Sequence, residues 1–239
     1  MQEVIFKPIG KIESCFKQKF TIPRQPGIVK QASAKLHLLP EFSHPDIIRG
    51  LEIYSHIWVI FVFHESHRQS PKTTVRPPRL NGEEKLGVFA TRSNFRINPI
   101  GQSVVKLEKI ETLEGHICLH LSGIDFLDQT PVLDIKPYIP YTDAIPQAEA
   151  GFATTIPDKS FDVLFDEHAA IQVQQASDEL GQNVREFITD LLAYDPRPIQ
   201  QKGEKSKQRY QTRLFDYNLV WSQGDSHVTV TEFEKVKLD

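Results

Sequence analysis

Residues 90–101, ATRSNFRINPIG, concentrate groups that recognise anions directly after a short apolar segment, residues 86–90. Arg92 and Arg96 carry planar guanidinium groups that suit carboxylate or phosphate oxygens, and Asn98 adds an amide. If residues 86–90 are a core strand, as their apolar run predicts, both arginines reach the rim of a sheet. A well-capped connection with surface arginines is the alternative.

A second basic element, RPPRL, places Arg76 and Arg79 on a stiff, extended stretch of chain. The net charge is −3, but residues 68–96 hold seven Lys/Arg against two Glu, and residues 197–213 hold six against one. Two basic stretches in a mildly acidic chain indicate an anionic partner at specific places. Two solvated loops would have the same composition.

The sequence FHESH places His64, Glu65 and His67 at the end of an apolar run, which raises the question of a metal. The zinc-protease motif needs a longer spacing on a helix, and no third ligand is evident. We therefore predict no metal site.

Three acids, Asp125, Asp128 and Asp134, lie around the turn at residues 128–131. Such a loop can present carboxylate and backbone groups to a small polar ligand. A hard-cation site is disfavoured because strand alternation places some of the acids on opposite faces. The turn IPRQPGI, residues 22–28, can wall a pocket.

The first 140 residues are typical of an antiparallel β-barrel or sandwich, because short strands alternate with Gly and Pro turns. A Rossmann-type domain is disfavoured, because βαβ alternation and GxGxxG are missing from the sequence. One short helix is predicted at residues 45–51. The predicted strands are residues 4–14, 57–63, 102–111, 116–121 and 132–136, with a Glu114-Gly115 turn joining the third and fourth.

A proline-rich stretch, residues 136–157, predicts a linker or extended arm. Beyond it, residues 166–181 and 183–194 predict two helices, with Gly181 as a stop and Asn183 as an N-cap. Residues 211–222 and 227–236 predict a hairpin over a Gly-Asp turn. The predicted domains are a β domain at 1–150 and a small α+β domain at 158–239.

The composition is that of an ordinary soluble protein, with 25% charged and 39% hydrophobic residues. The start of the sequence has no apolar signal-peptide core, and the longest apolar run, IWVIFVF, is too short to span a bilayer. These features predict a soluble cytoplasmic protein. Cys15 and Cys118 predict neither a disulfide framework nor a metal site.

Four segments in this order and spacing, PRQPG, TVRPPRLNG, GVFATRSNFRINPIG and DFLDQTPVLDIKPYIPY, resemble the TsaA/TrmO-like family of tRNA methyltransferases. The resemblance covers roughly residues 3–150, and the C-terminal part is similar to that of bacterial members. It implies a single-sheeted antiparallel β-barrel with a small C-terminal α+β domain, working as a homodimer. It also implies S-adenosylmethionine-dependent methylation of N6 of threonylcarbamoyl-adenosine, beside the anticodon of threonine tRNA.

The resemblance further implies which residues form the site. The cofactor-binding set it implies is Gln25, Pro26, Gly27, His64, Glu65, Arg92, Leu121, Asp128, Gln129, Thr130 and Pro131. The basic segments would contact the tRNA substrate through Arg76, Arg79, Arg96 and Asn98. Glu65, Asp125 and His67 are candidates for a general base, and the sequence does not choose among them.

Two positions depart from the family pattern, which usually has Pro at position 97 and Gly at position 129. Here they are Ile97 and Gln129. A positive φ at Gln129 would cost about 1 kcal/mol. Two other functions fit the residues alone: a non-catalytic RNA-binding β-barrel, and a metal-dependent hydrolase built on His64, His67 and the acidic loop.

Overall fold

The computed structural model describes residues 3–66, 71–80, 82–197 and 209–236. In the N-terminal part, six antiparallel strands close into a barrel, which confirms the predicted architecture. The barrel order is β1-β2-β7-β6-β3-β8. The first eight strands are β1 (Gly10–Ser14), β2 (Ser33–Leu38), β3 (His56–Val62), β4 (Thr74–Val75), β5 (Leu86–Gly87), β6 (Ile100–Leu113), β7 (His116–Ser122) and β8 (Pro131–Pro137).

Alternating side chains explain why these segments are strands. In β7, Ile117, Leu119 and Leu121 are buried, as the period-two pattern predicted. The sequence analysis missed β2, where buried Leu36 and Leu38 alternate with polar residues in the same way. The Glu114-Gly115 turn is confirmed between β6 and β7, with φ of 50° and 80° as a tight hairpin requires.

Three sequence predictions for the N-terminal part are wrong in detail. Residues 86–90 are not a core strand, because only β5 pairs, with β4, and Phe89 is 74% exposed in the 3₁₀ turn that follows. Residues 45–51 form no α-helix but two 3₁₀ turns, Pro45–Ile48 and Leu51–Ile53, separated by left-handed Gly50 (φ 84°). The first strand begins only at Gly10.

The remaining elements are α1 (Pro140–Asp143), β9 (Asp162–Phe165), α2 (Glu167–Leu180), α3 (Val184–Ala193), β10 (Arg209–Leu214), β11 (Tyr217–Gln223) and β12 (His227–Lys235). The C-terminal part is α+β, as predicted, with α2 and α3 as its two helices. Its sheet has four strands in the order β10-β11-β12-β9, with β9 parallel to β12, where only a hairpin was predicted. The predicted strand at 211–222 is wrong, because it is two strands joined by a turn with Phe215 at φ 51°.

The two predicted helices end as their sequences indicate. The Asn183 side chain caps α3 by accepting a hydrogen bond from the Glu186 N–H. Gly181 closes α2 in the left-handed conformation, with φ 63°.

Phe16 joins the barrel to the C-terminal part. Its side chain is fully buried, and its ring centroid lies 6.1 Å from that of Phe187 in α3. Its backbone forms an isolated antiparallel bridge with Leu214 at the end of β10. The Phe215 N–H also donates to the Cys15 carbonyl at 2.7 Å. The two parts therefore share one hydrophobic core.

We expect Phe16→Ala to lower the free energy of unfolding by about 3–5 kcal/mol, because it opens a cavity at this junction. Phe6→Ala, at a side chain that is 61% exposed, should change it by less than about 0.5 kcal/mol. Urea unfolding would be followed by the fluorescence of Trp58 in the barrel and Trp221 in β11, each isolated by replacing the other with Phe. Coincident transitions are expected, and Trp221 unfolding alone would contradict a shared core.

Candidate functional site

The loop of residues 123–130 connects β7 to β8 and is bonded to the first strand of the barrel. The Asp128 N–H donates to the Phe16 carbonyl at 2.9 Å, and the Gln129 N–H donates to the Ile12 carbonyl at 2.7 Å. The Ser14 hydroxyl donates to the Phe126 carbonyl at 2.8 Å. These three bonds hold the loop rigidly against the barrel end.

The Asp128 carboxylate serves this anchoring directly. Its Oδ1 accepts the Ser14 N–H at 2.8 Å and lies 3.1 Å from Lys17 Nζ. The two charged side chains are only 17% and 23% exposed, so the pair is shielded from solvent. Asp128 was expected in the cofactor-binding set, and its contacts with Lys17 and Ser14 were not predicted.

Gln129 and Thr130 complete the turn. Gln129 takes the positive φ anticipated for a position where the family usually has Gly, at 65°. The Thr130 hydroxyl is buried and donates to the Leu127 carbonyl at 2.7 Å. His64 Nδ1 lies 3.5 Å from the same hydroxyl oxygen, so the end of β3 meets the 123–130 loop. Pro131 then begins β8.

Two further predicted segments meet this loop. The Gly27 N–H donates to the Gly123 carbonyl at 2.8 Å, and both glycines have positive φ, 77° and 68°. A side chain at Gly123 would therefore be strained whatever the space around it. Arg92 Nη1 donates to Gln25 Oε1 at 2.6 Å. The turn with Pro26, the arginine segment and the 123–130 loop thus come together in space.

The other two predicted cofactor residues differ in exposure. Leu121 is buried in β7, directly before the loop. Glu65 is 55% exposed, lies 3.3 Å from Lys19 Nζ and also accepts a hydrogen bond from it through its backbone carbonyl. The Glu65 carboxylate is therefore a solvent-facing ion-pair partner.

Asp125 is the carboxyl group most affected by its surroundings in this loop. Burial raises its pKa to about 6, opposed by the hydrogen bond from Ser103 and by the charge of Arg92. Ser103 Oγ donates to Asp125 Oδ1 at 2.7 Å from its buried position in β6. Ser103 was not predicted. A serine at an interior-facing strand position is a signal of a polar partner inside the barrel.

The predicted RNA-contacting arginines brace their own segment. Arg76 Nη1 donates to the carbonyls of Gly82 and Glu83, each at 2.8 Å. Arg96 Nη1 donates to the Thr91 carbonyl at 2.7 Å. Each guanidinium group has five N–H donors, so further donors remain for a ligand.

Arg79 and Asn98 differ in what they contact. Arg79 binds the carbonyl and hydroxyl of Thr155, which ties its segment to the proline-rich stretch. Asn98 is exposed, and its carbonyl accepts the Ile100 N–H at 2.7 Å.

The described arginines of the C-terminal basic stretch, residues 197–213, already pair with acidic side chains of the protein. Arg197 is 8% exposed and binds Asp195 at 2.7 Å. Arg209 and Arg213 pair with acids on β12 and on the β10–β11 turn. Its lysines, Lys202, Lys205 and Lys207, lie outside the described residues.

Within residues 3–66, 71–80, 82–197 and 209–236, no three His, Cys, Asp or Glu side chains are grouped to hold a metal ion. His67 lies outside these ranges.

Burial raises the pKa of the Cys15 thiol to about 12, so it is not a nucleophile at neutral pH. In the same ranges, no helix is both long and apolar enough to cross a membrane.

The chain is therefore of the class of closed six-stranded antiparallel barrels with a C-terminal α+β part. The model of the tRNA-methyltransferase O N-terminal domain matches residues 11–144, and that of the TrmO C-terminal domain matches residues 158–236. The chain belongs to the tRNA-methyltransferase O family.

The similarity to relatives and to solved structures extends over nearly the whole chain. The chain is 42% identical over 234 residues to the tRNA (adenine(37)-N6)-methyltransferase of Escherichia coli, covering 98% of this chain and 99% of that protein. It is 49% identical to a putative S-adenosylmethionine-dependent methyltransferase of Pseudomonas aeruginosa, over 90% of each. The crystal structure of TrmO from Pseudomonas aeruginosa matches with a TM-score of 0.80 at 41% identity, over 98% of this chain and 99% of that one.

Asp128→Ala should destabilise the protein by about 1.5–3 kcal/mol, because it removes hydrogen bonds to a charged, shielded acceptor. Glu41→Ala removes an exposed partner of Lys7 and should cost less than about 1 kcal/mol. Urea unfolding measures both. Equal small effects would show that the Asp128 carboxylate does not anchor the loop.

Proposed function

We propose that this protein transfers the methyl group of S-adenosylmethionine to N6 of adenosine 37 in tRNA. Family membership across both parts of the chain supports this activity. The structural observation that carries the proposal is that three segments meet. The turn of Gln25 and Gly27 contacts the 123–130 loop at Gly123, and Arg92 of the basic segment binds Gln25.

The cofactor is a sulfonium with an amino-acid tail and an adenosine, and it supplies an activated methyl group for in-line displacement. We propose that Arg92 binds the carboxylate of the tail, since its guanidinium is exposed and already oriented by Gln25. The ammonium group of the tail suits two kinds of acceptor in the 123–130 loop. These are its backbone carbonyls and Oδ2 of Asp128, the carboxylate oxygen that Ser14 and Lys17 do not bind. Apolar Leu121 and the turn from Asp128 to Pro131 would border the adenosine.

Rate enhancement in such a site comes from alignment and exclusion of water. The hydrogen bonds that hold the 123–130 loop to β1 fix the walls before any ligand arrives. Binding therefore does not have to order this loop, and less conformational entropy is lost on association.

The tRNA substrate requires a basic surface beside the cofactor. Arg76, Arg79, Arg96 and Asn98 lie on the segment that carries Arg92, and their remaining donors suit phosphate oxygens. Bases of an anticodon loop are accessible as they are not locked in a helix.

The family resemblance also leads to proposals for the particular tRNA, the oligomeric state and the cellular location. We propose that the substrate is threonine tRNA bearing threonylcarbamoyl-adenosine, that the protein acts as a homodimer and that it works in the cytoplasm. The C-terminal part, with its three lysines between residues 202 and 207, is proposed to add tRNA contacts. A purely RNA-binding role is disfavoured because full-length relatives carry methyltransferase names.

Arg92→Ala should weaken S-adenosylmethionine binding about 10–100-fold, the loss expected for a hydrogen-bonded charge pair. Arg49→Ala, at an exposed arginine paired with Asp46, is the matched control and should bind as the native protein does. Isothermal titration calorimetry measures both. Equal affinity in the two variants would remove Arg92 from the cofactor site.

The activity is tested with radiolabelled S-adenosylmethionine and three tRNA preparations: threonine tRNA with threonylcarbamoyl-adenosine, the same tRNA unmodified, and the A37→G transcript. We expect label only in adenosine-37 tRNA, and mainly in the modified form. Label in the A37→G transcript would refute the proposed target. Equal label in modified and unmodified tRNA would refute only the threonylcarbamoyl requirement.

A further inference from the structure

N6 of the proposed acceptor carries a proton that must leave when the methyl group arrives. Its lone pair is delocalised into the purine ring and, in the threonylcarbamoyl form, into a urea carbonyl, so it is a weak nucleophile. A base near the reacting nitrogen would accelerate transfer, typically by about 10²–10⁴-fold.

The structure separates the candidate bases. Glu65 is 55% exposed and paired with Lys19, so its carboxylate is that of an ordinary surface acid. Asp125 instead lies in the 123–130 loop, between the fully buried side chains of Ile124 and Phe126. These neighbours fix the backbone on both sides, so the carboxyl group has a defined position.

The Asp125 carboxylate accepts hydrogen bonds from the Ser103 side chain and from its own backbone N–H. Oδ1 accepts the Ser103 hydroxyl at 2.7 Å, and within the described ranges no other side chain donates a hydrogen bond to Asp125. Arg92, the proposed carboxylate-binding residue of the cofactor site, acts electrostatically on the same group. Because Asp125 lies in the same 123–130 loop as Asp128 and Thr130, the proposed site places it beside the methyl donor. Oδ2, the oxygen that Ser103 does not bind, is then the proton acceptor.

We propose that Asp125 is the general base of the methyl transfer and that Ser103 is its positioning residue. This inference rests on the proposed function. The bond from N6 to the methyl carbon forms as the methyl–sulfur bond breaks, sulfur keeps the bonding electron pair, and the N6 proton passes to Asp125 Oδ2. The products are N6-methylated adenosine and S-adenosylhomocysteine, with the carboxyl group protonated.

The raised basicity of Asp125 suits this role, because a base must be ionised yet strong enough to accept a proton near neutral pH. Its pKa of about 6, raised by burial, leaves it ionised at pH 7. Activity should therefore be lost as pH falls through about 6. Among the described residues, the other titratable groups in or beside the loop include Lys17, His64, Arg92 and Asp128.

The test uses single-turnover methylation of threonylcarbamoylated threonine tRNA at saturating S-adenosylmethionine, from pH 5 to 8. Asp125→Asn should reduce the rate constant about 10²–10⁴-fold and abolish the acidic limb, with calorimetric cofactor affinity unchanged. Ser103→Ala should shift that limb to higher pH, because it removes a hydrogen bond that lowers the pKa of Asp125. Asp178→Asn, on the exposed face of α2, is the control.

The outcomes are distinguishable. An inactive native protein would refute the proposed function itself. An active native protein with a full-rate Asp125→Asn variant would refute only the base assignment. Loss of cofactor affinity in Asp125→Asn without loss of the rate constant would show that Asp125 merely orients Arg92. If His67→Gln removes the acidic limb while Asp125→Asn retains it, the base is His67.

Discussion

The bonding of the 123–130 loop to the first barrel strand is the constraint on which the site depends. The loop connects two barrel strands, yet its backbone is held by Ile12, Ser14 and Phe16 from near the start of the sequence. Because Phe126 and Thr130 in this loop are buried, backbone polar groups beside them need protein partners, and residues 12–16 provide them. The same bonds that satisfy the backbone therefore set the geometry of the proposed cofactor site.

A second consequence concerns the basic segment. Arg76 is held by backbone carbonyls of its own segment, and Arg79 by a carbonyl of the proline-rich stretch. Preorganised donors lose less conformational freedom on binding than arginines on a mobile loop. The side chains proposed to contact tRNA are thus also those that hold the segment together.

The strands were predictable where the apolar signal is strong, as in the continuous apolar run of β3 and the alternation of β7. The β2 segment, SAKLHL, has the same period but fewer large apolar residues, and it was overlooked. The order of strands around the barrel could not be read from local pattern, since the closing pair joins Gly10 to Val132. Phe89 was misjudged because an apolar run does not distinguish a core strand from an exposed turn.

The proposed site residues follow from family motifs and not from residue chemistry alone. The motifs identified Gly27, Arg92 and the turn at Asp128, which the structure brings together. They could not show that the Asp128 carboxylate is engaged by Lys17, or that Ser103 reaches Asp125 from another strand. Such contacts depend on strand register, which is a property of the closed barrel.

The position of Phe16 has a consequence for the order of events during synthesis. Residues 10–16 leave the ribosome early, but the strand that closes the barrel beside them begins at Pro131, and the bridge to Phe16 comes from Leu214. Neither contact can form before its partner segment has been synthesised. The first strand therefore stays unpaired on one edge until β8 has been made, and Phe16 lacks its bridge until Leu214 has been made.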